Sequence, residues 1–313
     1  MTKSTLRSAM AACLALALTP AAPAAAALSC TASVSGVAFG SITVRDGSND
    51  QTTGTVEYSC SGGTPNAAIA VCLTLGAGTG GAEGGNSPRY MRRGDNTPLS
   101  YELRSVSQSG RTWDTVVTGT TLDGNGAANF QDTIFAVVTS TGSDVKGGSY
   151  SSTFTGGDAT FRYGEVSGQD DCTLSGTSPT FNVTATVAPA CTIDVAPLSF
   201  GSMESLAEAV DAQTTITANC TNATSYSISL GLGNGNGVTG PAARKMTKGG
   251  DTITYGLYQN PDRTTVWGDQ VSNDFDGAGT GSFQSISVYG RIPSQNTPPT
   301  GTYTDTVVVT ITY

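Results

Sequence analysis

Residues Thr180–Val187 alternate without a break: Phe181, Val183, Ala185 and Val187 are apolar, and Asn182, Thr184 and Thr186 between them are polar. Successive side chains of a β-strand point to opposite faces, so this pattern predicts a strand with one buried face, ended by Pro189. A flexible connector would be rich in Gly, Ser or Pro and would not alternate. Farther along, Thr215–Cys220, Ser225–Leu230, Thr252–Tyr258, Phe283–Arg291 and Tyr303–Tyr313 read as strands separated by Gly/Asn/Asp/Pro segments. In the last of these, Tyr303, Val307, Val309, Ile311 and Tyr313 fall on one side. Met203–Val210 is the only helix-compatible stretch, and it is short. About seven short strands with such spacing predict an immunoglobulin-like sandwich.

The pattern is written twice. Cys30 opens a stretch containing Val37-Ala38-Phe39-Gly40, and Cys60 follows 30 residues later; Cys191 opens one containing Leu198-Ser199-Phe200-Gly201, and Cys220 follows 29 later. Arg89-Tyr90-Met91 matches Arg244-Lys245-Met246, and Leu99–Leu103 matches Ile253–Leu257. Trp113-Asp114 parallels Trp267-Gly268-Asp269, and Gly148-Ser149-Tyr150 parallels Gly301-Thr302-Tyr303. The preserved order predicts an all-β chain of two homologous sandwiches. The expected divisions are an export signal (1–27), a first domain (28–179), a connecting strand (180–188) and a second domain (189–313).

Composition adds the compartment. Lys3 and Arg7, the apolar run Ala9–Leu18 and the small residues Ala25–Ala27 read as a cleavable export signal. Cys13 would leave with it, and the six remaining cysteines suit disulfides in an oxidising compartment. The repeat makes Cys30–Cys60 and Cys191–Cys220 the equivalent bridges, which leaves Cys72 and Cys172 to each other. With no histidine in the chain, neither a Cys–His couple nor a His-containing zinc site can be built. The mature chain carries a net charge of roughly −11, which argues against nucleic-acid binding and against adsorption to anionic lipid. No cofactor is expected, and nothing in the sequence supports an enzyme.

The alternating segment needs a sheet edge, and the first domain, which it directly follows, is the nearest. Inserting Phe181, Val183 and Val187 there would bury three large side chains at about 1.5–3 kcal/mol each and would cover an open edge. The sequence offers no such segment after the second domain, which is therefore expected to lack its final strand.

The Cys–Phe-Gly openings, Tyr255-Gly256-Leu257-Tyr258, Trp267-Gly268-Asp269, Val288–Pro293 and Gly301–Val307 resemble the spore coat protein U domain, found widely in pilins of archaic chaperone–usher pili. The resemblance covers Cys191–Tyr313 and, in the same order, Cys30–Cys172, where Tyr289–Pro293 has no twin. A two-domain chain of this kind resembles the tip adhesin of such pili. In that family each pilin domain lacks its last strand; a periplasmic chaperone supplies one, and the next subunit later replaces it, an instance of strand addition to an open edge. The resemblance implies that Phe181, Val183, Ala185 and Val187 act as a donor strand completing the first domain in cis. It likewise implies that the edge at Tyr303, Val307, Val309, Ile311 and Tyr313 accepts a strand from the chaperone and then from the adjacent pilin. An outer-membrane usher and a position at the pilus tip on the cell surface follow from the same resemblance. Only Leu28 and Ser29 would precede Cys30 after cleavage, so the subunit is expected to have no strand of its own to donate.

Recognition of a surface or a glycan is expected from the first domain's longer stretches, Gly76–Ser87, Thr118–Gln131, Ser140–Gly148 and Tyr163–Asp171. A secreted coat or matrix protein, or a glycan-binding protein, is the alternative reading. Other motifs have plainer readings. Arg93-Gly94-Asp95 matches the turn at Gly249-Gly250-Asp251, and Asp274-Phe275-Asp276-Gly277 lacks the distant bidentate acid of a calcium loop. Trp113 and Trp267 read as core residues.

Overall fold

The computed structural model describes residues 1, 27–44, 50–140, 142–166 and 172–313. The expected export signal, apart from its ends, lies outside them, as do residues 167–171 of the stretch Tyr163–Asp171. The first half carries β1 (Ser29–Val34), β2 (Val37–Ile42), β3 (Gln51–Ser61), β4 (Ala68–Leu75), β5 (Arg89–Arg92) and β6 (Pro98–Arg104). It continues with β7 (Thr115–Thr121), β8 (Ala128–Val138), β9 (Gly148–Phe154), β10 (Ala159–Glu165), β11 (Leu174–Ser175) and β12 (Phe181–Val187). The second half carries β13 (Cys191–Val195), β14 (Val210–Cys220), β15 (Ser225–Leu230), β16 (Arg244–Lys248), β17 (Asp251–Tyr258), β18 (Phe275–Ala278), β19 (Phe283–Ile292) and β20 (Val309–Thr312).

In the first sandwich, a sheet ordered β1-β3-β8-β6-β5-β9-β12-β2 faces one ordered β11-β10-β4-β7; in the second, β13-β14-β19-β17-β16 faces β18-β15-β20. Each half buries its own apolar core, one centred on Trp113, Tyr101 and Phe161 and the other on Trp267, Ile228 and Ile216. The fold is all-β and immunoglobulin-like in both halves. Met203–Val210 forms no helix: its Leu206 is buried and its backbone N–H and C=O bond to Thr297 and Gln295 instead.

The repeated residues occupy repeated places. Cys30 lies directly opposite Cys60 in the β1–β3 ladder and Cys191 opposite Cys220 in β13–β14, and both pairs are disulfide-bonded. Cys72 is bonded to Cys172. Trp113 and Trp267 are buried, and their indole N–H groups donate to Leu73 O and Ile228 O. Arg89 and Arg244 are both fully buried, and among the described residues neither forms an ion pair with a carboxylate. Arg89 donates from Nε to Gly76 O and from Nη2 to Leu75 O and Trp113 O; Arg244 donates from Nε to Gly231 O and from Nη2 to Leu230 O and Trp267 O. A planar guanidinium can reach several carbonyls from one point, which an ammonium cannot.

The alternating segment forms β12. It runs antiparallel to β9 and parallel to β2, and so lies between them. Phe181, Val183, Ala185 and Val187 are at most 4 % exposed, while Asn182, Thr184 and Thr186 face solvent.

Candidate functional site

The second sandwich differs from the first at one edge. Three contacts align the two halves there. Tyr150 Oη donates to Lys146 O, four residues back, as Tyr303 Oη does to Pro299 O. Gly76 N donates to Asp158 O at 2.7 Å, as Gly231 N does to Val308 O at 2.9 Å. The third is the arginine bond to the carbonyl of Gly76 or Gly231. Gly301–Val307 is therefore the counterpart of β9. Its inner side is held to β16 only where Thr247 N donates to Thr304 O at 2.9 Å, with Thr304 N returning to Thr247 O at 3.2 Å. Among the described residues no strand pairs with its outer side, and no strand corresponds to β12.

This changes the expected last strand. The alternation predicts one continuous strand over Tyr303–Tyr313; only Val309–Thr312 is a strand, paired with β15. The preceding residues keep their alternation of half-buried and exposed side chains but lack the neighbour whose ladder would make them a regular strand. Val308 points outward and is 65 % exposed.

Where β12 sits in the first domain, the second has an open groove of about 370 Å³. Leu198 and Phe200 form one wall and Tyr303–Val307 with Val309 the other, over a floor that includes Ile216, Met246 and Leu257. Gly290 admits the Leu198–Phe200 segment, because a Cβ there would stand 2.6 Å from Leu198 Cδ2 and 2.9 Å from Phe200 Cζ. Of the five residues expected at the acceptor edge, Tyr303, Val307 and Val309 line this groove. Ile311 pairs with Ile228 in β20, and Tyr313 is exposed beyond it; neither lines the groove.

Asp305 is the one charged side chain lining the groove. Tyr255 Oη donates to its Oδ2 at 2.7 Å, and the N–H groups of Asn234 and Thr306 donate to its Oδ1. Burial, reinforced by the adjacent carboxylate, raises the Tyr255 phenol far above its usual range, so it remains a donor. Sequence reading missed Asp305, the wall at Leu198 and Phe200, and the role of the two buried arginines. The arginines had left a trace in the repeat at Arg89 and Arg244.

The stretches expected to recognise a target are placed unevenly. Much of Thr118–Gln131 belongs to β7 and β8 and leaves a short turn. Within Ser140–Gly148, the described residues 142–148 pack toward the second domain: Asn222 Nδ2 donates to Ser143 O at 2.8 Å. The turns at 61–67 and 122–127 meet through Gly63 N to Gly126 O and Asn66 N to Asp123 O, and Thr64 N donates to Glu165 Oε1. Gly76–Ser87 folds against the sheet edge, with Thr79 N donating to Thr153 O and Tyr90 N to Gly81 O. Arg93-Gly94-Asp95 is the β5–β6 turn, and the Asp95 carboxylate is taken by Arg93 and Lys146. Asp276 and Gly277 lie within β18, and no cluster of three or more metal-ligating side chains exists among the described residues.

The sequence model of the Spore Coat Protein U domain matches residues 15–157 and again 177–310. The chain belongs to this family. The second Spore Coat Protein U match begins ahead of β12, so the strand that closes the first sandwich lies, by sequence, within the second repeat. Protein U of Myxococcus xanthus is 38 % identical over 63 residues, which is 20 % of this chain and 35 % of Protein U. Among solved structures, the chaperone–tip adhesion subunit complex CsuC–CsuE of Acinetobacter baumannii matches at 16 % identity and a TM-score of 0.51, covering 90 % of this chain and 100 % of the matched one. The CupB6 tip adhesin of Pseudomonas aeruginosa matches at 11 % identity and a TM-score of 0.40, covering 92 % and 95 %. The first of these likenesses supports a two-sandwich Spore Coat Protein U fold.

Proposed function

We propose that the chain is the tip subunit of a chaperone–usher pilus, exported through the periplasm and carried to the cell surface at the fibre's end. The observation that carries this reading is the contrast between two equivalent edges, one filled by β12 and the other open. In the first domain, β12 acts as a donor strand supplied in cis, with Phe181, Val183, Ala185 and Val187 as its inserted side chains. In the second, the edge from Tyr303 through Val309 receives a strand from a periplasmic chaperone, while Ile311, paired within the facing sheet, and Tyr313 beyond it lie outside the groove. The usher in the outer membrane then exchanges the chaperone's strand for that of the adjacent pilin. The first domain is left to attach the fibre to a surface or glycan, the step that precedes biofilm growth. A groove of this size, lined largely by apolar side chains, is costly to leave wet, since each large apolar side chain that fills it contributes about 1.5–3 kcal/mol.

Hydrogen exchange tests the reading. In the purified full chain, amides of β9 and β12 should be protected while those of Gly301–Val307 exchange fast; co-expression with the cognate chaperone should protect the latter. Equal protection of both edges in the solitary chain would sink the assignment.

A further inference from the structure

We propose that the strand received by the second domain differs from β12 at one position: opposite Asp305 it presents a small side chain or a hydrogen-bond donor, not a large apolar one. This rests on reading the groove as a strand acceptor and specifies what that strand must look like.

The first domain supplies the template. Across the β12–β9 ladder, Phe181 faces Phe154, Val183 faces Ser152, Ala185 faces Tyr150 and Val187 faces Gly148. The shared tyrosine contact and the glycines at positive φ, Gly148 and Gly301, carry this register to Val307, Asp305, Tyr303 and Gly301. Two of these four places are unchanged. Opposite Tyr303 an alanine-sized residue fits, and opposite Gly301 a valine-sized one. Phe154 becomes Val307, which removes a ring and leaves room for an aromatic or leucine-sized side chain. Ser152 becomes Asp305, which adds a charge where β12 inserts a fully buried valine.

The carboxylate cannot step aside. Gly233, at φ +83°, lies so close that a Cβ there would be 2.0 Å from Asp305 Oδ2, and Tyr255 and Asn234 hold both oxygens from below. A carboxylate has about four acceptor positions. Tyr255, Asn234 and Thr306 occupy three. A leucine or valine laid over the fourth would exclude its water and return nothing, whereas a hydroxyl or amide would replace that water. One charged residue in an otherwise uncharged groove thus selects among donor strands that the apolar positions alone would accept.

The test uses the full chain and synthetic seven-residue copies of residues 181–187, carrying valine, serine or leucine at the position of Val183. Binding is read by fluorescence anisotropy of labelled peptides. The serine peptide should bind at least about tenfold more tightly than the leucine peptide. In Asp305→Ser, which restores the first domain's residue, and in Asp305→Asn, which keeps the shape and removes the charge, that gap should shrink to about twofold and the valine peptide should gain. The asparagine variant covers the case in which the serine variant does not fold. Serine and leucine peptides binding equally to the native chain, or a preference unchanged in the variant that folds, would overturn the inference and leave the acceptor reading standing. Failure of every peptide to bind, with Gly301–Val307 already protected from exchange, would overturn both.

Discussion

The rings of Phe154 and Phe181 stack 4.6 Å apart and 6° from parallel, one on β9 and the other on β12. They are paired residues in the ladder and both are buried, so this contact marks where the connecting segment enters the first sheet. An aromatic pair of this kind adds about 0.5–1.5 kcal/mol to the area that it buries.

The two faces of β12 should respond oppositely to charge. Val183→Asp places an unpaired carboxylate at a fully buried site and should unfold or severely destabilise the first domain. Thr184→Asp, on the exposed face, should change stability by no more than about 0.5 kcal/mol. Chemical denaturation of the two variants decides the matter, and equal effects would mean that the segment is a mere connector.

The buried arginines should tolerate no conservative replacement. Arg244→Met removes the donor from Leu230 O, Gly231 O and Trp267 O, and each orphaned carbonyl costs about 1–3 kcal/mol. Arg244→Lys should fall nearly as far, because a point ammonium cannot span three acceptors. Thermal unfolding of both variants is the measurement; a lysine variant as stable as the parent would contradict this account. Arg89 should behave alike in the first domain.

The disulfide without a counterpart should guard the cis-completed edge. Cys72–Cys172 ties β4 to the chain just before β11, where the segment that ends in β12 begins to run along β10. It closes a separation of 100 residues, against 30 for Cys30–Cys60. Loop-entropy bookkeeping assigns about 4.7 kcal/mol to a loop of that length. The double variant Cys72→Ala/Cys172→Ala should therefore lose stability and show faster amide exchange in β11 and β12. An unchanged exchange pattern there would count against the tether.

Acid should weaken the second domain through Asp211. Arg291 donates to both of its oxygens, at 2.7 and 2.8 Å, and with Arg263 nearby these bonds hold the carboxyl below its ordinary value of 3.8. A carboxyl with a lowered folded-state pKa contributes stability above the unfolded value and loses it as pH falls through the folded one. The stability gap between the parent and Asp211→Asn should accordingly be largest near neutrality and close below about pH 4. A gap that is constant with pH would show that the ion pair contributes nothing through titration.

Much of this molecule is local and could be read from its residues. Period-two alternation is a property of a strand alone, which is why Phe181–Val187 announced one buried face before any partner was known. Two disulfide pairs could be read because a duplicated chain places equivalent cysteines in equivalent ladders, and the third pair was what remained. The last strand is shorter than its alternation predicts for a related reason: Tyr303–Tyr313 alternates throughout, but a strand also needs a neighbour, and among the described residues Gly301–Val308 has none on its outer side.

What the sequence by itself determined, then, was the number of sandwiches, their strands and the faces that those strands bury. The tertiary structure alone decided that β12 lies between β9 and β2, that Leu198 and Phe200 form the far wall of an open groove, and that Asp305 stands inside it on the hydroxyl of Tyr255. Those are meetings of residues far apart in the chain, 27 positions for Phe154 and Phe181 and 50 for Tyr255 and Asp305. No periodicity in a chain encodes them, because they are fixed by the register and packing of whole sheets.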